Sequence, residues 1–358
     1  MTESHGHIRR TLLICVTFNS SDSLPDLTST IDEFDRDHPG NHVMVVENSA
    51  DTDIKQVIES QLGSRRVHVE VAARNEGFSH GVNLGYRLAQ RRWGQFDFVV
   101  LLNPDVVAAG KTVCELVNRS AEPSESEFGL WGAVLKDERG QIDRGCARRV
   151  WNRRRLFSHV VGYPNLAKLL LSAPRNLTPY EIAYERSELA MVSGALMCMR
   201  ADVLQDGLDT RLPMYLEDQE ICLRCIRKGH KVRLYPDLEA IHLGGVSRKS
   251  ISKFERPLRI MELVESPVQC MRICQEEHHG LAQLRLVVFS GGILRFAAAP
   301  VIAVAKIASR KADVASATEW MGTQLRLSSW FVSWAIKGRF HTADISLSDY
   351  FDEYGVVR

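Results

Sequence analysis

The sequence lacks an excess of either charge. Its 358 residues include 45 Lys and Arg against 44 Asp and Glu, which gives a formal net charge of +1. Binding along a nucleic-acid backbone needs a basic surplus, so the composition argues against a nucleic-acid-binding protein. With 45% hydrophobic and 25% charged residues, the chain has the composition of a soluble globular protein and shows no sign of disorder.

The sequence also lacks internal repeats and low-complexity tracts, and we expect no signal peptide. The opening MTESHGHIRR is polar, and the apolar run behind it is short and alternating. The eight cysteines are scattered, which favours reduced, mostly buried thiols over a disulfide framework. We therefore expect a cytoplasmic, reducing location.

The first part of the chain alternates strand-like and helix-like segments. Compact apolar runs predict strands at residues 11–18, 42–48, 67–73 and 96–107. The segments between them show helical spacing, and such βαβ units imply an α/β fold with a mostly parallel sheet. The length suggests two domains, which we expect to be residues 1–250 and a helical region over residues 251–358.

Residues 286–305 carry one charge, Arg295, and are just long enough to span a membrane. Two features argue against a span: the charge costs roughly 2.5–3.5 kcal/mol in lipid, and three residues are expected to break the helix. These helix breakers are Gly291, Gly292 and Pro300.

Residues 316–338 show amphipathic helical spacing. One face is apolar and carries Trp320, Leu327, Phe331 and Trp334. Two interpretations stay open. The helices either form a pair packed against the first domain or anchor the protein at a membrane interface, for which tryptophan and basic residues are suited.

Three polar motifs follow or precede predicted elements. Asn103–Pro104–Asp105 ends the predicted central strand, where open parallel sheets bind ligands and a carboxylate can hold a hard divalent cation. The acidic stretch around Asp218 either caps a helix or supplies a general base. His242 ends a strand-like segment and is either structural or a metal ligand.

Two further patterns each have a structural and a functional interpretation. Residues 139–155 carry seven arginines and form either a solvated loop or a flap that meets an anionic ligand. Cys222 and Cys225 have the spacing of zinc ligands, but they lie in an apolar segment with helical spacing, so a core role is expected.

Taken in order, these motifs resemble those of the inverting glycosyltransferases of family 2, and more narrowly their rhamnosyltransferase-type branch. The resemblance covers about residues 11–280. It is carried by TLLICVTFNSSDSL, VVENSADTD, RNEGFSHGVNLGYRLA, LLNPDV, MVSGALMCMRADVL and LDTRLPMYLEDQEICLRCIRKGHKVRLYPDLEAIHLGGVS. The resemblance implies a GT-A fold and a glycosyltransferase of hexosyltransferase type.

The resemblance also implies a binding site for a nucleotide-diphospho-sugar donor. Its residues would be Thr17, Asn19 and Glu47 at the base, Arg74, Asn75 and Gly81 along the nucleotide and sugar cleft, and Asn103 beside the metal. Glu47 stands where family members usually have Asp, and Asn103 stands where many have Asp.

The same resemblance assigns the chemistry. Asp105 and His242 would ligate Mg²⁺ or Mn²⁺, and Asp218 would be the catalytic base. Glu220 replaces the commoner Asp of this motif, and Ala190 replaces an acid.

We therefore expect an inverting, metal-assisted transfer of a sugar to a glycan or lipid-linked saccharide in the synthesis of cell-envelope polysaccharide. Deoxythymidine-diphosphate rhamnose is the leading donor, and the site of action is the inner face of the cell membrane. The alternative is a noncatalytic nucleotide-sugar-binding partner of another transferase, which the substitutions at positions 103, 190 and 220 motivate. A nucleotidyltransferase is disfavoured, because FNSSDSLPD lacks a basic, glycine-rich phosphate loop.

Overall fold

The computed structural model describes residues 8–49, 52–107, 109–143, 145–146, 150–162, 191–244, 255–274 and 280–337. The chain divides into two compact units. The described part of the first comprises residues 8–150 and 191–244, and that of the second comprises 151–162 and 255–337. Ala190 lies outside the described residues, and the predicted boundary at residue 250 stays a prediction.

Apart from the consecutive β4 and β5, strands and helices alternate up to β8, and the described elements after it are helical. In chain order they are β1 (Thr11–Thr17), α1 (Leu24–Asp37), β2 (Asn41–Glu47), α2 (Thr52–Leu62), β3 (Val67–Val71), α3 (Phe78–Trp93), β4 (Phe98–Leu102), β5 (Val106–Val107), α4 (Gly110–Ser120), β6 (Phe128–Lys136), α5 (Arg153–Val161), β7 (Leu196–Arg200), α6 (Glu217–Arg227), β8 (Lys231–His242), α7 (Glu255–Ile260), α8 (Ser266–Cys274), α9 (Leu281–Ala308) and α10 (Val314–Lys337).

The first unit is built on one eight-stranded sheet in the order β3-β2-β1-β4-β7-β6-β8-β5. The first four strands in this order are parallel, as predicted. β7 is antiparallel to both β4 and β6, whereas β8 is parallel to β6. Every residue of β1 and β2 is buried, as expected for strands covered on both faces.

The prediction of one strand over residues 96–107 was wrong. β4 ends at Leu102, and a turn follows in which the Val106 amide donates to the carbonyl of Asn103 at 3.2 Å. The two residues of β5 then pair with the end of β8, at the far edge of the sheet. The continuous apolar run concealed this change of partner, because both short strands are mostly buried.

The second unit contains α5, α7, α8, α9 and α10. The expectation that glycine and proline break residues 286–305 was wrong, because α9 runs unbroken through Pro300. The glycines serve close packing instead. A Cβ at Gly291 would lie 2.9 Å from Val160 Cγ1, and one at Gly292 would lie 3.0 Å from Val332 Cγ2.

The apolar face of α10 packs inside this unit. Phe331 and Trp334 are buried, and α10 lies along α9. The buried Arg295 of α9 donates to the side-chain oxygen of Gln324 and to the carbonyl of Val160. Phe331 and Trp334 of the predicted face therefore lie on the inner surface of a helical pair, whereas Trp320 and Leu327 are half-buried.

Candidate active site

Asp105 and His242 meet where β5 pairs with β8. The ladder places Val106 opposite His242, and the Leu243 amide donates to the carbonyl of Asp105 at 2.9 Å. As a result, His242 Nε2 lies 3.5 Å from Asp105 Oδ1. The structure thus brings the two predicted metal ligands together, although they are far apart in the sequence.

A second carboxylate holds the other side of the His242 ring. His242 Nδ1 lies 2.9 Å from Asp143 Oδ2. Burial lowers the pKa of His242, but the hydrogen bonds to Asp105 and Asp143 outweigh it and raise the pKa to about 9. The sequence analysis missed Asp143, because it treated residues 139–155 only as an arginine-rich segment.

The Asp105–His242 pair fits a divalent cation. A carboxylate oxygen and an imidazole nitrogen are both suitable ligands, and two ligand atoms about 2.1 Å from one ion lie about 3 Å apart when roughly at right angles. The described residues contain no group of three or more His, Cys, Asp or Glu side chains placed to hold a metal. A cation here would therefore take its remaining ligands from water or substrate.

Asp218 is held at the first turn of α6. Its Oδ1 accepts from the Gln219 amide at 2.8 Å and its Oδ2 from the Gly194 amide at 3.4 Å. Asp218 is buried, with 6% of the residue's surface exposed. The preceding Tyr215 and Leu216 both have left-handed backbone, with φ of 68° and 67°. Such strained backbone is typical of functional sites.

Residues 193–195 connect Asp218 with the pair at the edge of the sheet. The Asn103 amide donates to the Ala195 carbonyl at 2.8 Å, next to the glycine that meets Asp218. On the other side, the Ser193 amide donates to the Cys146 carbonyl at 3.1 Å, and the Cys146 amide donates to that of Asp143 at 3.0 Å. The catalytic and metal-binding candidates are thus attached to one backbone segment.

The predicted base pocket begins where β1 and β2 end. Thr17 Oγ1 donates to Glu47 Oε2 at 2.5 Å, and the Ser49 amide donates to Glu47 Oε1 at 2.5 Å. Both Thr17 and Glu47 are fully buried. Asn19 is exposed and has a left-handed backbone with φ of 49°. The contact of these residues with a nucleotide base stays a prediction.

The other predicted cleft residues lie around the start of α3. Arg74 Nη2 pairs with Glu76 Oε1 at 2.6 Å, and Asn75 Oδ1 accepts from the Gly77 amide at 2.9 Å. Gly81 is buried, and a Cβ there would lie 2.8 Å from Val16 Cγ1. The observed roles are to shape the loop and to allow α3 to pack closely, and the donor contacts stay predictions.

This loop is also tied to the segment that leads to Asp218. The Ser79 amide donates to the Pro213 carbonyl at 3.2 Å. A Cβ at Gly77, where φ is +96°, would lie 2.5 Å from the same oxygen. Only glycine therefore allows the α3 loop to approach the backbone that precedes the candidate base.

Two other predictions concern the arginine-rich segment and the pair of cysteines in α6. Of the seven arginines of residues 139–155, the structure describes Arg139 and the three of α5, and the choice between a solvated loop and a flap that meets an anionic ligand stays a prediction. Cys222 and Cys225 are buried in the core, and burial raises the pKa of both thiols, that of Cys225 to about 12. This supports the core role expected for them.

Known proteins resemble this chain over most of its length. The model of the glycosyltransferase-like family 2 matches residues 9–259. Rhamnosyltransferase WbbL of Escherichia coli (strain K12) is 21% identical over 234 residues, or 64% of this chain and 82% of the relative. The dTDP-rhamnosyl transferase RfbF of Shigella flexneri is 23% identical over 249 residues, or 68% of this chain and 73% of the relative.

The fold is also found in a solved structure. The mannosyltransferase PcManGT from Pyrobaculum calidifontis, in complex with GDP-Man and Mn²⁺, has a TM-score of 0.54 and 17% sequence identity. The similarity covers 93% of this chain and 88% of that one. It confirms the predicted GT-A fold. Together with the family match over residues 9–259, it places the chain in the glycosyltransferase-like family 2, as a glycosyltransferase similar to rhamnosyltransferases.

Proposed function

We propose that this glycosyltransferase moves a hexose, with rhamnose as the leading candidate, from a nucleotide-diphospho-sugar to a hydroxyl of a glycan or lipid-linked saccharide. The observation that carries the proposal is the arrangement around residues 193–195. The Gly194 amide of this segment donates to Asp218, and its Ala195 carbonyl accepts from Asn103, in the motif that contains Asp105. Its Ser193 amide is linked through Cys146 to Asp143, which contacts the Asp105–His242 pair through the His242 ring. These groups match the two needs of the reaction, which are to stabilise a leaving diphosphate and to remove a proton.

Asp105 and His242 would hold a divalent cation, Mg²⁺ or Mn²⁺, against the diphosphate. When bound, the cation supplies positive charge that offsets the negative charge developing on the leaving group. His242 meets carboxylates with both of its ring nitrogens, so the ring is already oriented. A preorganised ligand pair stabilises the departing diphosphate without a cost of reorientation at the moment of reaction.

Asp218 would act as the general base. The acceptor oxygen forms a bond to the anomeric carbon while the bond from that carbon to the diphosphate oxygen breaks. The hydroxyl proton passes to a carboxylate oxygen of Asp218. A single displacement from the opposite face inverts the anomeric configuration and needs no covalent intermediate. A positioned base contributes roughly 10²–10⁴-fold to such a rate.

The choice of donor draws on the two relatives whose names include rhamnosyl transfer. A panel of nucleotide sugars, with and without Mn²⁺, tests it by thermal shift, because a ligand that binds the folded state raises its stability. We expect deoxythymidine-diphosphate rhamnose to give the largest shift. A larger shift with another donor would overturn the choice of rhamnose, and no shift with any donor would overturn the donor-binding proposal.

Transfer or hydrolysis of the bound donor separates an enzyme from the noncatalytic alternative. Of the substitutions that motivate this alternative, Glu220 is explained by the fold, because its carboxylate pairs with Arg224 at 2.5 Å. We expect release of nucleoside diphosphate from the preferred donor when acceptor saccharide is present. A protein that binds donor but never releases the nucleotide, with any acceptor, would support the binding partner instead.

We further propose that the protein works at the cytoplasmic face of the membrane and that the outward face of α9 contacts lipid. By length and composition this helix could cross a membrane. Its exposed apolar residues lie on one face and include Leu286, Ile293, Phe296, Val301 and Val304. The exposed Arg310 and Lys311 just beyond α9 would meet anionic headgroups.

The partner helix provides a contrast within the same hairpin. The outward residues of α10 are mostly polar or small, as in an ordinary soluble helix, and they include Thr318, Thr323, Arg326 and Ser329. The uncharged face therefore belongs to α9 alone, while the buried Arg295 points away from it into the helical unit. An in-plane helix with one apolar face and nearby basic residues is typical of peripheral membrane proteins.

Flotation with phosphatidylcholine–phosphatidylglycerol vesicles tests this surface. Leu286→Gln, Ile293→Gln and Phe296→Gln together should abolish co-flotation, while Thr318→Gln, Thr323→Gln and Ser329→Gln on α10 should leave it intact. A protein that stays with the lipid-free fraction would overturn the proposal. So would a dimer that forms without vesicles and is lost in the α9 variant, because the face would then bind a second copy.

A further inference from the structure

We infer that Asp143 is a positioning residue, which fixes the ring of His242 so that Nε2 faces the metal. This inference rests on the proposed function, in which Asp105 and His242 hold the cation. His242 Nδ1 lies 2.9 Å from Asp143 Oδ2, and Nε2 lies 3.5 Å from Asp105 Oδ1. The two ring nitrogens therefore face two different carboxylates.

The contact with Asp143 determines which nitrogen can bind a metal. An ionised carboxylate only accepts hydrogen bonds, so the proton shared with Asp143 must be carried by Nδ1 of His242. In the neutral imidazole the lone pair then lies on Nε2, the nitrogen that faces Asp105. Without this partner the ring could adopt the other tautomer or rotate, and either change would remove the lone pair from the cation.

Asp143 is itself held in place by its turn. Its amide donates to the Leu135 carbonyl at 2.8 Å, and its Oδ1 accepts from the Gly145 amide at 2.7 Å. One carboxylate oxygen thus fixes the turn and the other meets His242. A flexible surface carboxylate could not restrict an imidazole in this way, whereas one that is fixed by its own backbone can.

The turn also leads to the candidate base. The carbonyl of Asp143 accepts from the Cys146 amide at 3.0 Å, and the Cys146 carbonyl accepts from the Ser193 amide at 3.1 Å. The next residue, Gly194, donates to Asp218 at 3.4 Å. Asp143 and the candidate base Asp218 are therefore connected through two short backbone stretches, residues 143–146 and 193–194, which a hydrogen bond joins.

Binding of Mn²⁺ tests the inference without measuring activity. Free Mn²⁺ can be followed by electron paramagnetic resonance, with protein alone and with deoxythymidine diphosphate added. Loss of a carboxylate that orients a metal-bound histidine typically costs roughly 10–100-fold in metal affinity. We expect this loss for Asp143→Ala and a smaller one for Asp143→Asn, because an amide oxygen can still accept from Nδ1.

Asp137→Ala is the matched control. Asp137 lies in the same hairpin, where its carboxylate accepts from the Arg139 and Gln141 amides at 2.9 and 2.8 Å. Its removal loosens the hairpin without touching the ring, so Mn²⁺ affinity should stay at the wild-type value. An equal loss in Asp137→Ala and Asp143→Ala would assign the effect to the hairpin and overturn the inference.

The tautomer can be read directly from the ¹⁵N shifts of protein labelled at histidine, with His242 assigned by comparison with His242→Gln. With diamagnetic Mg²⁺ bound, which requires a lone pair on Nε2, we expect the proton on Nδ1 in the wild type and a mixture of ring states in Asp143→Ala. Wild-type shifts and wild-type Mn²⁺ affinity in Asp143→Ala would overturn the inference. If His242→Gln binds Mn²⁺ normally, the metal part of the proposed function fails, and the shifts alone then decide whether Asp143 fixes the ring.

Discussion

Asp218 Oδ2 accepts a hydrogen bond from the backbone amide of Gly194, with 3.4 Å between the two atoms. This contact joins the first turn of α6 to the segment that precedes β7. A Cβ at Gly194 would lie 3.3 Å from that of Asp218, so glycine provides the space for this approach. The carboxylate is thereby fixed beside a backbone that also carries the end of β4, through the Asn103–Ala195 hydrogen bond.

Replacing Asp218 by Asn should abolish transfer and preserve donor binding. The amide keeps the shape of the carboxylate and can still accept a backbone hydrogen bond, but it cannot take the acceptor proton. We expect kcat to fall by roughly 10²–10⁴-fold, with little change in the Kd of the donor.

Glu220→Gln is the matched control, because Glu220 lies in the same first turn of α6 as Asp218. Glu220 pairs with Arg224 at 2.5 Å and with Arg227 at 3.4 Å, and both contacts are structural. Its loss should lower the thermal stability and leave kcat near the wild-type value. Normal turnover by Asp218→Asn would remove this residue from the mechanism.

Removing divalent metal should slow the reaction and weaken donor binding, because the diphosphate then lacks a counter-charge. We expect EDTA to abolish activity and Mn²⁺ to restore it, with Asp105→Asn requiring at least roughly tenfold more Mn²⁺. Asp97→Asn is the control at the opposite end of β4, where Asp97 Oδ2 accepts from the Arg10 amide at 2.8 Å. Equal Mn²⁺ titrations of wild type and Asp105→Asn would contradict the ligand assignment.

Gly77→Ala should damage both folding and activity. The residue has φ of +96°, and a Cβ would lie 2.5 Å from the Pro213 carbonyl, so the α3 loop would have to move away from the segment leading to Asp218. We expect the free energy of unfolding to fall by at least roughly 2 kcal/mol, together with a lower kcat.

Gly63→Ala separates backbone strain from this collision. Gly63 has φ of +54° and open space around its Cβ position, so the variant should lose only about 1 kcal/mol and keep full activity. Urea unfolding of both variants measures the difference. A Gly77→Ala protein no less stable than Gly63→Ala would show that the loop does not depend on the close approach.

The sequence predicted the local elements well and the long-range partners only in part. β1, β2 and β3 begin and end within about two residues of the expected bounds, because buried parallel strands are continuous apolar runs bounded by polar turns. Local pattern could not reveal that residues 106–107 pair with the end of β8. That pairing depends on the rest of the sheet, and it is what brings Asp105 to His242.

Two other features required the packed structure. Asp143 has no distinguishing spacing, and its role emerges only from its position beside His242. The persistence of α9 through glycine and proline depends on neighbours that fill the space beside Gly291 and Gly292. By contrast, the order of the predicted catalytic motifs was sufficient to identify the family, because their residue types reflect the chemistry and not the packing.

The buried Arg295 should stabilise the helical unit through its neutral partners. Its Nε and Nη2 donate to Gln324 Oε1 at 3.0 and 2.7 Å, and Nη1 donates to the Val160 carbonyl at 3.0 Å. Arg295→Met leaves these acceptors unsatisfied, and we expect a loss of roughly 2–4 kcal/mol. Replacing Gln324 by Leu in the same protein should recover part of the loss, as measured by hydrogen exchange of α9 amides. If Gln324→Leu recovers none of the stability lost in Arg295→Met, the loss comes from packing and not from the unsatisfied acceptors.

The protein should lose stability as the pH falls below about 6.5, in part because of His42. Its ring packs against Trp93 and Phe96 at the start of β2, with centroid distances of 5.0 and 5.5 Å. Burial lowers the pKa of His42 from its ordinary 6.5, and the contact with the Gly40 carbonyl offsets this only in part. Below about pH 6.5, His42 therefore binds a proton more readily in the unfolded chain than in the folded protein. The free energy of unfolding decreases as the pH falls below this value, and His42 has no effect on it at higher pH.

His42→Phe keeps an aromatic ring without a titrating group. Urea unfolding from about pH 7.5 to about pH 5.5 should show a shallower pH dependence for His42→Phe than for the wild type, and parallel curves would exclude His42 as a source of the acid sensitivity.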